Sequence, residues 1–477
     1  MVIKETHPLL KRSADIESMV SYWEQVDTIV EGYEAIKKAS VIYLPKFPDE
    51  TDNDYNFRLE LTKFTNIYRD VLECLATKPF EEEISLIGSE NVPLEATEFI
   101  EDVDGAGNNL TMFSALTFFN GINDAVNWIF VDYPTIEPHA TISVKEAKEK
   151  NLKPFWSHVL AVNVLEVRTA MVGSKEMLSY IRIFEPSDTQ DHVREFFRDE
   201  DGVVTWKLWV KNPDATIPAQ EFGLENSGIL SINIIPLVPF ITGRRNGRTF
   251  KFSPVMRDAA DLQINLYRNE SGLEFIKTMA AYPMLAANGM KPEKDAAGNN
   301  KKLAVGPKVV LYGVPDGNGN HGEWKYIEPT ANSLEFLQKS IDKTKQDLRE
   351  LGRQPLTALS SQLTTVTTSI AAGKAKSAVT AWALALKDAL ENAMYITMLY
   401  IKIDTKIEVN VYTGFDNVLD DGSDLEALLK MRENGDISQE TILEEFKRRK
   451  VLAPESSFER ETARLLNDIP VDDQLIS

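Results

Sequence analysis

The stretch from 253 to 351 constrains this chain more than any other: two long helical patterns flank a small, turn-rich insert. Val255, Ala259, Leu262, Leu266, Leu273 and Ile276 recur at helical spacing, which predicts a helix from Ser253 to about Tyr282. Ser253 reads as its N-cap, Pro254 as its first residue and Pro283 as its stop. Residues 283–330 then read as a strand near MLAAN, a polar loop KPEKDAAGNNKK, a strand KVVLYGV, a turn DGNGNHG and a strand EWKYIEP. Leu334, Leu337, Ile341, Leu348 and Leu351 align on a second helix over 331–351. Helix, small β-insert, helix describes an excursion that leaves a body and comes back.

The body it leaves is mixed. Ile16, Met19, Trp23, Val26, Val30, Tyr33 and Ile36 predict an amphipathic helix over 14–39, followed by an extended loop through SVIYLPKFPDETDNDY. Leu61, Phe64, Tyr68, Val71 and Leu75 share a face of a second helix, 110–127 reads as a third, and WIFVDYP at 128–134 reads as a buried strand. Between 155 and 240 the runs VLEVRTAMV, LSYIRIFEP, VVTWKLWVK and GILSINIIPLVPF are β-rich, as the sheet of an α/β domain would be. The loop carrying Arg244, Arg245, Arg248 and Lys251 reads as solvated. Beyond the second long helix, 353–373 is rich in Ser, Thr and small residues, which suits a mobile loop or a helix in a crowded place. A helix over 374–400, a strand in TKIEVNVYTGF and two helices at 423–434 and 438–450 complete the reading, with Ser438 as an N-cap.

Little in the chain points to catalysis. Cys74 is the only cysteine and sits at apolar helical spacing, so no intrachain disulfide can form and a core position is expected. Gly317, Gly319 and Gly322 satisfy G-x-G-x-x-G, but a strand-like EWKYIEP follows where a dinucleotide site needs a helix, so the motif reads as a turn. The acidic clusters 49–54, 199–201 and 420–424 lack EF-hand spacing and read as solvated loops. The five histidines never pair at i, i+4, so no metal, no cofactor and no catalytic residue is expected. No apolar run suits a signal peptide or a membrane span. With 52 Lys+Arg against 73 Asp+Glu the net charge is −21, which excludes a basic clamp on DNA; composition alone does not choose between a channel that repels a phosphate backbone and a plain acidic soluble protein.

Several strings, in order, resemble those of tailed-bacteriophage portal proteins: YLPKF ahead of Tyr55 and Arg58, VDYP at 131–134, KPFW at 153–156, IPLVPF at 235–240, SPVMRDAADLQINLYRNESGLEF at 253–275 and LLKMRENGDISQETILEEFKRRKVL near the end. Their specificity lies in that order, which runs through nearly the whole chain. The resemblance implies an α+β portal fold with an α/β wing, two long stem helices, a small β-containing clip, a tunnel loop and a short helical C-terminal crown region. Its expected divisions are 1–252 for the wing, 253–282 for the first stem helix, 283–330 for the clip and 331–352 for the second stem helix. Residues 353–373 would be the tunnel-loop region, 374–420 a wing return helix and strand, and 421–477 the C-terminal wing or crown.

The resemblance also implies a self-assembled ring, usually of twelve copies, at one capsid vertex of the virion, built in the host cytoplasm. Its role would be structural, not enzymatic: a channel for double-stranded DNA during packaging and ejection, with no base readout and no membrane. Its partners would be the terminase large subunit, head–tail adaptor proteins, and the major capsid protein with its scaffold. Twelve chains would carry roughly −250 charges. Ser360, Ser361, Gln362, Thr364, Thr365 and Thr367 would line the constriction, and Lys339, Lys343, Lys345 and Arg349 are candidate tunnel contacts. The alternative is another virion structural protein, a head–tail adaptor or a minor capsid protein; adaptors are generally shorter and lack the helix–insert–helix excursion.

Overall fold

Two bodies, 1–412 and 413–477, make up the chain in a computed structural model. The structure describes residues 7–88, 92–134, 152–212, 220–281, 284–288, 290–291, 314–315, 323–327, 331–351, 365–414, 429–435 and 437–448. In the first body, α1 (Ala14–Glu31) buries Ile16, Met19, Trp23, Val26 and Ile29. The single helix expected over 14–39 is broken at Gly32, whose φ of +96° glycine alone holds without strain, and α2 (Tyr33–Ala39) restarts beyond it. The helix expected through Leu61 to Leu75 is also two, α3 (Asp52–Leu61) and α4 (Ile67–Thr77). Asp52 to Tyr55, expected in an extended loop, instead open α3. The Thr51 hydroxyl accepts the Asp54 N–H at 3.2 Å, and the two aspartates sit where the helix dipole favours negative charge. Cys74, expected in the core, is half-buried on α4.

After β1 (Ser85–Leu86) and α5 (Leu94–Phe99), α6 (Leu110–Asp124) leads into β2 (Val126–Asp132), which is buried on both faces over all but its last residue. β2 is the centre of a three-stranded antiparallel sheet, between β3 (Phe155–Val159) and a later strand, β9. The next strands form a separate antiparallel meander: β4 (Val164–Val172), β5 (Lys175–Glu185), β6 (His192–Arg198), β7 (Val204–Lys211) and β8 (Phe222–Ile229). β9 (Leu237–Ile241) then returns to β2. The single α/β-type sheet expected over 155–240 is therefore two sheets, both antiparallel; short connections join β4 to β5, β5 to β6 and β6 to β7. Residues 230–236 of the predicted GILSINIIPLVPF strand are irregular, and β6, in HVREFFR, was not foreseen.

Aromatic rings hold helix to sheet. Phe118 of α6 stacks on Phe240 of β9 at 5.7 Å, and a methyl group at Gly121 would collide with the same ring. Trp156 of β3 meets Phe99 and Phe113 edge-on. Across the meander, Glu166, Arg182, Glu195 and Lys207 stand opposite one another in register, a row of alternating charge. The segment Pro8–Leu10 covers one end of the sheet, where Leu10 packs with Leu165, Phe184, Val193 and Phe222.

Buried polar groups gather where α1, α4 and α6 meet. The Tyr22 hydroxyl donates to the Asn123 carbonyl at 2.9 Å, Tyr68 donates to Asn123 Oδ1 at 3.0 Å, and the Trp23 indole donates to the Asp124 carbonyl at 2.9 Å. Asn123 Nδ2 donates to Asp124 Oδ1 at 2.8 Å and reaches Asp27 Oδ1 at 3.5 Å. Burial pushes Asp27 up to about 6, and the charges of Glu31 and Glu24 push the same way. Burial raises Asp124 as well, and the Asp27 charge adds to it. An acid whose folded pKa lies above its unfolded value favours the native state only while protonated. Its contribution is therefore full below about pH 4 and lost as pH rises through 6. Asp27→Asn should raise stability by roughly 1–3 kcal/mol at pH 8 and flatten the decline between pH 4 and 7, measured as urea midpoints.

The second half of the body begins with a short hairpin, β10 (Arg244–Arg245) against β11 (Phe252–Ser253). Ser253, expected as a helix cap, ends this strand, and α7 (Arg257–Ala281) starts four residues later. β12 (Met284–Asn288), β13 (Met290–Lys291), β14 (Val314–Pro315) and β15 (Glu323–Ile327) follow, then α8 (Ala331–Leu351). α9 (Thr365–Tyr400) starts nine residues before its expected onset and packs on β2 and β9, with Trp156 donating to Thr397 Oγ1 at 2.8 Å. Of the strand expected in TKIEVNVYTGF, only β16 (Val409–Asn410) forms among the described residues, paired with β1. In the second body, a helical turn lies within 429–433 and α10 (Gln439–Arg448) follows. The Ser438 hydroxyl accepts the Thr441 N–H at 3.1 Å, the cap that was expected.

Candidate functional site

The excursion rests on α7, whose apolar stripe of Ala259, Ala260, Ile264, Leu266, Tyr267 and Leu273 is buried. Three polar residues share that stripe. Gln263 is fully buried; its Oε1 accepts the N–H groups of Ile67 and Tyr68 at 3.0 Å each, and its Nε2 donates to the Thr65 carbonyl at 2.8 Å. A side chain of α7 thus satisfies two of the orphan donors that open α4. One turn or two further on, Glu270 accepts from the Thr65 hydroxyl at 2.8 Å, and Ser271 accepts from the Thr62 hydroxyl at 2.8 Å.

Arg58 of α3 closes the other flank. It is 1% exposed and pairs with both oxygens of Glu50 at 2.7 Å. It also donates to the Pro45 carbonyl at 2.9 Å and to Ser271 at 3.3 Å, and its guanidinium lies 4.1 Å from the centre of the Phe47 ring. The acids at 49–54, expected as solvated loop, are in part this lock: the Arg58 hydrogen bonds hold the Glu50 carboxyl below its ordinary range.

Beyond α7 the chain forms nested antiparallel pairs. Met284 to Asn288 pair with Ile327 to Glu323, and Met290 and Lys291 pair with Pro315 and Val314. The glycine motif 317–322 lies outside the described residues, but the strand β15 follows it, as the turn reading requires. α8 then returns along α7 and α4, with Ile341 and Leu348 buried.

The candidate cations of α8 fall on two faces. Lys339 and Lys343 are exposed, one turn apart, and neither meets a carboxylate among the described residues. Lys345 turns inward and pairs with Glu270 at 3.0 Å, and Arg349 is half-buried near it on the helix. Ser360, Ser361, Gln362 and Thr364 lie outside the described residues. Thr365 and Thr367 are in the first turns of α9, with side chains outside what is described. The structure therefore brings Lys345 into the helix-packing site and leaves Lys339 and Lys343 on its outer surface. Gln263 and Glu270 were missed by sequence reasoning. Their signal was available: two polar residues seven apart, in phase with the apolar stripe.

Elsewhere, several titratable groups are held by partners or by burial. Arg245, expected in a solvated basic loop, makes a two-pronged contact with Glu176 at 2.7 and 2.8 Å, and that contact draws the Glu176 carboxyl down to about 2. Arg194 lies beside a cavity of about 490 Å³, but Asp132 and Glu185 already hold it at 2.9 and 3.2 Å. His158 is kept neutral by burial, which lowers it to about 4. Asp199 Oδ1 accepts the Val203 N–H at 2.7 Å in a tight turn; the 420–424 cluster lies outside the described residues. Among the described residues no three His, Cys, Asp or Glu side chains gather as a metal site, and no helix is long and apolar enough to cross a membrane.

A family described as "Domain of unknown function (DUF4055)" matches residues 255–401, the span from α7 through α9. No curated protein matches the chain. Among solved structures, the chain is similar to one in the neck of a native GTA particle with C12 symmetry. That match has 11% identity and a TM-score of 0.42, and covers 80% of this chain and 88% of the other. A chain of the virion of a native gene transfer agent particle gives 9% identity, a TM-score of 0.40 and coverage of 85% and 96%. The neck of an empty GTA particle with C6 symmetry gives 10%, 0.40, and coverage of 78% and 87%.

Proposed function

We propose that this chain is a structural protein of a phage-like particle and, more finely, a portal-type subunit that closes into a ring around a DNA channel. The observation that carries the reading is the excursion: two long helices, α7 and α8, packed together at their base and joined through a small β ladder. Such a helical pair with a β tip suits a subunit that must contribute one radial stave to a tube. The ordered strings from YLPKF to the C-terminal helices support the same assignment.

In this reading α7 and α8 are the stem, the ladder is the clip where a packaging ATPase docks, and adaptors bind the ring from outside. Ser360, Ser361, Gln362, Thr364, Thr365 and Thr367 line the constriction with small polar groups that touch phosphates weakly. The net charge of −21 per chain keeps DNA sliding.

The test is native mass spectrometry of the purified full-length protein with negative-stain images of the same sample. Twelve copies of the 53.7 kDa chain give about 640 kDa and a central hole. A closed ring of a neighbouring copy number would support the reading equally. A species that stays monomeric alone, and is also absent from the tail vertex of assembled particles, would end it.

A further inference from the structure

Phe336, at 73% exposure, is the most exposed large apolar side chain among the described residues. It lies on α8, and Lys339 and Lys343 follow it at i+3 and i+7, on the same face. That stripe points away from the packed face of Ile341, Lys345 and Leu348, which is turned to α7 and α4. Exposed aromatic surface costs free energy in water, and two ammoniums beside it, without a carboxylate partner among the described residues, set the sign of what can cover it.

A matching surface exists on the same chain. Phe57 of α3 is 48% exposed and lies between Asp54 and Glu60, three residues to either side. Phe47, itself 46% exposed, lies against Arg58, the residue that follows Phe57. One patch is thus an aromatic ring framed by ammoniums, the other an aromatic ring framed by carboxylates. Both helices pack on α7, so both patches are carried by helices of one packed group.

We infer that these two patches meet between neighbouring copies of this chain, Phe336, Lys339 and Lys343 of one copy against Asp54, Phe57 and Glu60 of the next. Two different patches in contact make a head-to-tail interface, the kind that closes into a ring when the rotation allows. The inference rests on the ring reading above and names the contact that builds it.

Its test is a charge exchange with two variants of the full chain. Lys339→Glu with Lys343→Glu sets acid against acid at every junction, and Asp54→Lys with Glu60→Lys sets base against base. Each variant alone is expected to lose the ring in native mass spectrometry. An equimolar mixture is expected to restore rings in which the two variants alternate in equal numbers. Unchanged thermal melting of each variant guards against misfolding, and Glu60→Lys alone, which leaves Asp54 and the Thr51 cap at the start of α3 intact, should shift assembly to higher protein concentration at least tenfold. Rings that survive both double variants would overturn the contact and leave Lys339 and Lys343 free to meet DNA. Variants that fold, yet fail to assemble both singly and mixed, would overturn it too. A wild-type chain that never forms rings would instead remove the ring reading on which the contact depends.

Discussion

Arg58→Ala is expected to lower unfolding free energy by about 3–5 kcal/mol, the cost of leaving a buried charge without its partner. Glu50, held on both oxygens by Arg58, would remain in place with its Phe47 N–H bond alone. Two further anchors go with the guanidinium: the Pro45 carbonyl and the Ser271 hydroxyl. Urea midpoints give the magnitude. Arg58→Lys should recover only part of the loss, because an ammonium cannot grip both carboxylate oxygens or lie flat under Phe47. The pH limb provides a second check. Glu50 titrates below its ordinary value of 4.5 because of Arg58, so its contribution is present above that value and lost as pH falls through the depressed one. In Arg58→Ala that part of the acid limb should disappear.

Gln263→Leu should cost about 2–4 kcal/mol, although it keeps the volume and makes the stripe of α7 more apolar. The change strips partners from the Ile67 and Tyr68 N–H groups and the Thr65 carbonyl, and a buried group without a partner costs about 1–3 kcal/mol. Gln263→Glu separates geometry from satisfaction: its oxygen can still accept both N–H groups, while the bond to Thr65 is lost. Hydrogen exchange at Ile67 and Tyr68 should accelerate in the leucine variant and less in the glutamate one.

Periodicity made the long elements legible. α8 occupies its predicted span, 331–351, and β4 covers the run VLEVRTAMV end to end. Where the reading failed, a backbone or capping detail outweighed the pattern. Gly32 interrupts an apolar stripe that runs unbroken through it in sequence, and Thr51 converts a loop-like acid cluster into a helix start. Ser253 has the composition of a cap but sits in the β10–β11 hairpin, a tertiary pairing invisible to local spacing. β6 escaped because HVREFFR alternates poorly; its Arg194 is neutralised by Glu185 of the adjacent strand β5 and by Asp132 at the end of β2 in the other sheet. The cations of α8 show the limit for the site itself. Periodicity separates Lys339 and Lys343 from Lys345, yet only packing shows that Lys345 is held by Glu270.

The nested ladder at the end of α7 has a consequence for how such a chain can change over time. Its outermost rung joins Met284 to Ile327, so the polypeptide enters and leaves the tip at adjacent points. Sequence inserted or removed between Lys291 and Val314 need not disturb either helix, since both ends stay pinned by the inner rung. Loop-closure entropy charges only about 0.6 kcal/mol for each doubling of such a segment. The tip is thereby an exchangeable cassette: it can drift in length and composition while the helices beneath it keep their register.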